Sequence, residues 1–240
     1  MKSYGITDIG IARKFNQDYT LECDETIGNL QNLYVACDGL GGHKAGEFAS
    51  SATAETFFDI AEDCPSKDPL AIFKEAVTRV NTLLYKKGRE EMYEGMATTL
   101  VACTVDEEYG EAFLVNVGDS RAYIIGDDIE QITNDHSYVG ELIRMGQITK
   151  DEARFHKKNN VITRAIGAER TVEADYFKVE FEPDDIILLC TDGLYNMVSE
   201  DTIYAVATGA GSAKERAQKL VDLANEAGGL DNIAVVLIER

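Results

Sequence analysis

Eight short runs of β-branched and aromatic residues constrain the fold of this 240-residue chain more than any other feature. Runs of this length and composition, bounded by turn-forming residues, are typical of β-strands. They span residues 19–23, 33–37, 98–105, 112–117, 122–125, 174–179, 186–190 and 233–238. This number of strands is enough for two sheets.

Between the second and third runs the hydrophobic period changes to that of a helix. Two helices are predicted there, one from Ala45, Phe48, Ala49 and Ala52 and one from Leu70, Phe73, Ala76, Val77, Val80 and Leu84. A third has Ala213, Ala217, Leu220, Val221 and Ala224 on one face, with Gly228 and Gly229 beyond its end. Groups of strands interrupted by helices predict an α+β sandwich. Since no linker-like stretch divides residues 1–240, we expect one domain.

The charge of the chain excludes several classes of protein. Lys and Arg number 23 against 43 Asp and Glu, a net charge of −20, which repels nucleic-acid phosphates and anionic lipids. The apolar run at residues 186–190 is far shorter than the roughly 18 residues of a membrane span. Residues 1–15 lack the apolar stretch of a signal peptide, so we expect a cytoplasmic protein. The five cysteines form no C-x-x-C pair and are expected to be buried, reduced thiols.

Five aspartates lie at the ends of strand candidates. Asp18 precedes the first run, Asp38 follows the second, Asp119 and Asp192 follow later runs, and Asp231 precedes the last. Taken singly, an Asp-Gly pair after a strand is most often a turn signal. Taken together, the five aspartates could meet at one rim of a sandwich.

Several carboxylates in a poorly solvated site repel one another unless cations neutralise them. Oxygen ligands without clustered Cys or His favour Mg²⁺ or Mn²⁺ over Zn²⁺. Two such ions about 3.5–4 Å apart activate water for in-line displacement at phosphorus. The aspartates therefore indicate a phosphoester hydrolase.

Eight motifs in the chain carry a family resemblance. In order they are GIARKFNQD at 10–18, DGLGGH at 38–43, TT at 98–99, GDSR at 118–121, DHS at 135–137, NVITR at 160–164, TDGL at 191–194 and GLDN at 229–232. On these motifs the chain resembles the metal-dependent protein phosphatase family, the protein phosphatase 2C-like serine/threonine phosphatases, in its compact bacterial form. The resemblance covers essentially the whole chain. It implies an α-β-β-α sandwich of two central antiparallel sheets flanked by helices.

The resemblance also implies a binuclear Mg²⁺ or Mn²⁺ site. Asp38 would bridge both ions and the carbonyl of Gly39 would bind one of them. Asp18, Asp192 and Asp231 would complete the pair, directly or through water.

Two further roles follow from the resemblance. Asp119 resembles the ligand of a third, weaker ion that it would share with Asp192. Arg13 would hold the substrate phosphate, and a guanidinium suits that task because it matches phosphate oxygens bidentately and stays charged.

The chain departs from the family pattern at Leu40, where animal members carry a histidine thought to protonate the leaving group. The general acid is therefore open between His43, for which a structural hydrogen bond is the better interpretation, and a metal-activated water. His136 and His156 are interpreted as structural residues of a flap subdomain at residues 134–167. A short helix is expected in the flap around Tyr138, Leu142, Ile143 and Met145.

The sequence thus predicts a monomeric serine/threonine phosphatase that acts on phosphorylated proteins and opposes a bacterial serine/threonine kinase. Two alternatives stay open. One is a non-catalytic family member that binds partners through the same fold, which the complete set of aspartates disfavours. The other is a hydrolase of small phosphoesters.

Overall fold

Two antiparallel sheets form the centre of the molecule in the computed structural model, which describes residues 1–42, 44–149, 152–153 and 156–240. The first sheet has the order β1 (Lys2–Asp8), β11 (Ile233–Glu239), β10 (Ile186–Cys190), β7 (Arg121–Ile125) and β8 (Ile129–Gln131). The second has the order β2 (Asp18–Cys23), β3 (Leu33–Leu40), β5 (Leu100–Asp106), β6 (Glu111–Val117) and β9 (Asp175–Glu180), and β4 (Ala97–Thr98) pairs with β3.

The two sheets pack face to face through alternate side chains of their strands. Ala36 and Leu114 of the second sheet share a buried cluster with Leu189 and Val236 of the first. Because strand side chains alternate between faces, the intervening residues point outward. Central strands such as β10 are buried on both faces, which accounts for their nearly continuous apolar sequence.

Helices cover the two outer faces. Helices α1 (Lys44–Asp63) and α2 (Pro69–Lys87) pack on the second sheet, and their Phe57 and Phe73 rings lie 5.5 Å apart. Helices α4 (Asp192–Tyr195), α5 (Glu200–Ala207) and α6 (Ala213–Glu226) pack on the first sheet. The predicted α-β-β-α sandwich is confirmed.

The helix ends follow ordinary capping chemistry. Asp68 caps α2 by accepting a hydrogen bond from the Leu70 N–H, and Pro69 follows it. Ser212 and Glu215 form a capping box at the start of α6. Beyond α6, Gly228 and Gly229 both adopt positive φ angles, as the sequence predicts.

The structure differs from the prediction in several elements, and helices α4 and α5 are among those that were not predicted. Strands β1 and β8 were not predicted, because their residues are only partly buried and carry a weak pattern. The predicted strand at residues 98–105 is broken at Thr99, and its first part pairs with Gly39 and Leu40. In the predicted flap, α3 (Tyr138–Arg144) is the expected short helix.

Among the described residues, none of the helices has the length and apolar character of a membrane span.

Candidate active site

The structure brings the five strand-end aspartates to one rim of the sandwich. Asp18 is the first residue of β2, and its partner across the sheet is Asp38 of β3. Asp119 follows β6, Asp192 begins α4 directly after β10, and Asp231 precedes β11. Strands β2 and β11 begin at this rim, and β3, β6 and β10 end near it, because neighbouring strands are antiparallel.

A cleft of about 240 Å³ opens at this rim. Its lining includes Asp38, Asp119, Asp192 and Asp231, together with Arg13. The fifth aspartate, at position 18, is buried and lies outside the lining. The cleft is therefore an acidic pocket with one cationic side chain at its edge.

Burial and mutual repulsion disfavour the charged forms of four rim aspartates, Asp18, Asp38, Asp119 and Asp192. Burial raises the pKa of Asp38 far above its usual range, and the charges of neighbouring aspartates add to this effect. The pKa of Asp18 is raised in the same way, although a hydrogen bond from Thr191 opposes the shift. Burial raises the pKa of Asp119 to about 8 and that of Asp192 to about 6. In the protein alone, the rim cannot hold all of its negative charges at neutral pH without a large cost.

Two buried carboxylate oxygens at the rim have no hydrogen-bond partner. They are Oδ1 of Asp18 and Oδ1 of Asp192. The second oxygen of each group is satisfied, since Asp18 Oδ2 accepts from Thr191 Oγ1 at 2.7 Å and Asp192 Oδ2 accepts from Asn196 Nδ2 at 3.1 Å. A buried acceptor without a donor is costly, and a divalent cation is the partner that suits it.

Across the described part of the chain, no three acidic, imidazole or thiol side chains already surround a common point. The fit to a metal thus depends on the shared rim and on the two unpartnered oxygens, not on a preformed cage. Hard oxygen donors of this kind suit Mg²⁺ or Mn²⁺.

Gly39 follows Asp38 where the chain passes very close to two neighbours. A Cβ atom at this position would lie 2.0 Å from the carbonyl oxygen of Gly46 and 2.7 Å from that of Gln17. Only glycine fits, and its N–H donates to the Gln17 carbonyl at 3.0 Å. The backbone beside Asp38 is therefore fixed in position within the cleft wall.

Arg13 lies in the loop between β1 and β2, with half of its side chain exposed. Its Nη2 donates to Asp231 Oδ2 at 2.6 Å. This contact joins residues 218 positions apart in sequence and sets the guanidinium beside the acidic rim. The arrangement places one positive charge beside the carboxylates of the rim.

Two threonines orient the aspartates, and the sequence analysis assigned neither of them a role. Thr191 Oγ1 donates to Asp18 and accepts the Ala234 N–H at 2.8 Å, which joins β2 to β11. Thr99 Oγ1 accepts the N–H of Asp38 at 2.8 Å. Both threonines are fully buried within the recognised motifs, but a motif does not show which partner a hydroxyl will find.

A second cleft, of about 260 Å³, lies between the rim and the predicted flap. Asp119 and Asp192 line it as well, so the two clefts share a wall. Tyr195 donates to the backbone carbonyl of Asp119 at 2.9 Å, and its ring stacks on the Arg121 guanidinium. Asp119 is thereby held between the two clefts.

The two histidines that the structure describes, His136 and His156, each accept a hydrogen bond from a backbone N–H. His136 Nδ1 accepts the Gly118 N–H at 3.1 Å, so Nε2 carries the proton and faces Asp175. His156 Nδ1 accepts the Lys158 N–H. His43 lies outside the described residues, as do residues 150–151 and 154–155 of the predicted flap.

Comparisons with known proteins agree with the family and the fold. The family model described as Protein phosphatase 2C matches residues 12–233. A serine/threonine phosphatase, stp, of Listeria innocua is 35% identical over 240 residues, covering 98% of this chain and 94% of the relative.

Solved structures superpose over nearly the whole chain. The S. agalactiae serine/threonine phosphatase has a TM-score of 0.92 and 33% identity, covering 99% of this chain and 98% of that one. The catalytic domain of the serine threonine protein phosphatase PstP, in complex with two manganese ions, has a TM-score of 0.85 and 33% identity, covering 98% of this chain and 96% of that one.

Proposed function

The chain belongs to the protein phosphatase 2C family and is a protein-serine/threonine phosphatase, and from this premise we propose that it hydrolyses phosphoserine and phosphothreonine with two divalent cations held at the aspartate rim. When bound, Mg²⁺ or Mn²⁺ supplies Lewis-acid activation of a water molecule and neutralises charge on the phosphate. The two manganese ions in the PstP complex support this proposal.

The observation that carries the proposal is the pair of unpartnered carboxylate oxygens, on Asp18 and Asp192, within a rim of five aspartates. Folding alone gives no reason to bury these charges. Cations bound at the rim would provide the missing partners and offset the burial and the repulsion that raise the pKa values of Asp18 and Asp192.

Each rim residue has a proposed task. Asp38 would hold both ions, and the carbonyl of Gly39 would hold one of them. Asp18, Asp192 and Asp231 complete the pair, directly or through water. The contact between Asp231 and Arg13 favours these assignments, since it keeps a guanidinium within reach of a phosphate at the rim.

Arg13 is proposed to hold the phosphate through charge-assisted hydrogen bonds. Asp119, which lies between the two clefts, is proposed to hold a weaker third ion with Asp192. Leu40 lines the cleft but has no ionisable group, so we propose that water supplies the proton for the departing serine or threonine oxygen, with His43 as the alternative.

The proposed substrates are phosphorylated proteins, and a bacterial serine/threonine kinase is the enzyme that this activity would oppose. Support comes from the relatives of the chain, which are bacterial serine/threonine phosphatases. An assay of phosphate release from a phosphothreonine peptide with Mn²⁺, with and without EDTA, tests the proposal. Free phosphoserine and a nucleotide serve as small-molecule comparisons.

Asp38→Asn tests the rim itself. It should abolish turnover in this assay while the fold persists, because the water nucleophile is activated by the ions that Asp38 holds. Asp59→Asn, an exposed change on α1 away from the rim, is the matched control and should keep full activity. Near-normal rates in Asp38→Asn would refute the proposed site.

A further inference from the structure

We propose that Asn232 is a positioning residue that holds the Arg13 loop, residues 9–17, in the conformation that binds phosphate. The inference rests on the proposed phosphate-binding role of Arg13. It adds a residue in the wall of the cleft whose side-chain amide is bonded to that loop and is proposed to act through it.

The Asn232 side chain bonds to both ends of the Arg13 loop. Its Nδ2 donates to the carbonyl of Ile9 at 2.8 Å and to that of Phe15 at 2.9 Å. Its Oδ1 accepts the N–H of Gln17 at 2.9 Å. The amide is 5% exposed, so these three bonds are shielded from water. Two acceptors on one side and a donor on the other leave a single consistent orientation of the amide.

These bonds close a short loop with Arg13 inside it. The two carbonyls that accept hydrogen bonds from Nδ2 lie on either side of Arg13 in sequence. One amide group therefore fixes the segment of the loop that carries the guanidinium. The loop makes further bonds through Ile11 N and Ala12 N, which both donate to the carbonyl of Gly229, at 2.8 and 3.0 Å. At Gly10 the backbone has φ +75°, and a Cβ there would lie 2.2 Å from the Asp231 carbonyl oxygen. The loop thus packs closely on residues 229–232.

Asn232 also holds the partner of Arg13. Its backbone N–H donates to Asp231 Oδ1 at 2.8 Å, while Arg13 Nη2 donates to Oδ2 of the same carboxylate. The side chain of Asn232 orients the loop, and its backbone orients the carboxylate that the loop faces. Removal of the side chain should therefore release Arg13 and leave the N–H bond to Asp231 in place.

A double-mutant cycle between Asn232→Ala and Arg13→Ala separates positioning from a general structural role. KM and kcat are measured on one phosphothreonine peptide at saturating Mn²⁺. Asn232→Ala should raise KM by about tenfold with a smaller change in kcat, because the phosphate contact is weakened in the ground state and the transition state alike. In the Arg13→Ala background the same change should alter KM by less than about twofold, because there is no longer a guanidinium to position.

Asn32→Ala is the matched control. Asn32 is fully buried and bonds to the backbone of Val105 through both Nδ2 and Oδ1, at the end of β3 away from Asp38. Asn32→Ala should lower stability, as Asn232→Ala does, because it removes buried hydrogen bonds to the backbone, but it should leave KM unchanged.

Three outcomes would overturn the inference. If Asn232→Ala leaves KM unchanged while Arg13→Ala raises it, Asn232 does not position the loop and the proposed function stands. If Asn232→Ala raises KM equally in both backgrounds, its role is structural. If Arg13→Ala itself leaves KM unchanged, the phosphate-binding role of Arg13 fails, and the positioning role fails with it.

A measurement on the unaltered protein keeps the test open should Asn232→Ala not fold. Hydrogen exchange at the Gln17 amide should be as slow as that of β11 amides, because its N–H is bonded to the buried Oδ1 of Asn232. Exchange at the rate of an unstructured peptide would overturn the inference.

Discussion

Asp18 and Asp38 lie directly opposite each other on the neighbouring antiparallel strands β2 and β3. Like charges at opposed positions of a sheet destabilise it. Asp18 is buried and Asp38 is partly buried in the cleft wall, and this burial, together with the neighbouring carboxylates, raises the pKa of each. The Asp18–Asp38 pair does not stabilise the sheet. We therefore interpret it as part of a cation site, at a cost to the stability of the metal-free protein.

Replacing Asp18 should therefore stabilise the metal-free protein and inactivate the enzyme. In EDTA, Asp18→Asn should raise the free energy of unfolding by about 1 kcal/mol, because it removes a carboxyl group that must either carry a charge opposite Asp38 or take up a proton, each at a cost, and it keeps an acceptor for Thr191. With Mn²⁺ the same variant should lose activity. Urea denaturation with and without metal measures the first effect and phosphate release the second. A loss of stability in EDTA equal to the loss in Mn²⁺ would contradict the account.

Stability of the metal-free protein should fall as pH rises from about 4 to about 8. An aspartate in an unfolded chain titrates near pH 3.9, whereas the folded protein raises the pKa of Asp192 to about 6 and that of Asp119 to about 8. Within this window the folded state binds more protons than the unfolded state, so the free energy of unfolding decreases with pH. Each extra proton contributes a slope of at most about 1.4 kcal/mol per pH unit.

Urea midpoints measured in EDTA across this window test the pH dependence. Asp119→Asn should flatten the upper part of the curve, since the group that titrates there is gone. Saturating Mn²⁺ should flatten most of it, because bound cations favour the charged carboxylates. Stability that increases with pH through the window in EDTA would show that the rim aspartates are not protonated in the folded state.

Arg13 and Asp119 should give opposite kinetic signatures. Arg13→Ala should mainly raise KM, by up to about 10²-fold, because a charge-assisted contact worth about 1.5–3 kcal/mol is lost. Asp119→Ala should keep substrate affinity and lower kcat, since the third ion is assigned to the chemical step. Steady-state kinetics of both variants on one phosphopeptide provide the comparison. An unchanged KM in Arg13→Ala would mean that the ions alone hold the phosphate, and loss of all tight metal binding in Asp119→Ala would place Asp119 in the central pair.

Thiol alkylation of the native protein should leave activity unchanged. Burial raises the pKa of the Cys37 and Cys103 thiols beyond the titratable range, and that of Cys190 to about 12. Cys64 is buried too, and Cys23 is half-buried. Mass spectrometry after iodoacetamide should therefore show modification confined to Cys23. Rapid inactivation that inorganic phosphate prevents would indicate a cysteine at the site instead.

The sequence predicts the layers of the fold better than their edges. Runs such as residues 186–190 are apolar throughout because β10 is buried on both faces. Such a run can be recognised as a strand without knowing which strands lie beside it. Strand β1 pairs with β11 along its whole length, but it contains Gly5 and two charged ends, so its sequence gives little sign of a strand. Pairing with a distant strand decides its conformation, and sequence periodicity does not report such pairing.

The same distinction holds at the candidate site. The five aspartates could be selected from the sequence because acidic residues at strand ends form a recognisable pattern. The partners of those aspartates could not be selected in this way. Thr191 bonds to Asp18 across a sequence separation of 173 residues, and Asn232 bonds to the Arg13 loop across separations of 215 residues or more. Only the antiparallel order of β2, β3, β10 and β11 makes these residues neighbours.

The most direct test of the central claim is a calorimetric titration of EDTA-stripped protein with Mn²⁺, with phosphate release from a phosphothreonine peptide followed at each metal concentration. Two tightly bound ions per chain are expected, with activity that is absent without metal and rises as both sites fill. A higher melting temperature is also expected in the loaded protein through binding linkage. Full activity in excess chelator, or the absence of tight Mn²⁺ binding by active protein, would contradict the central claim.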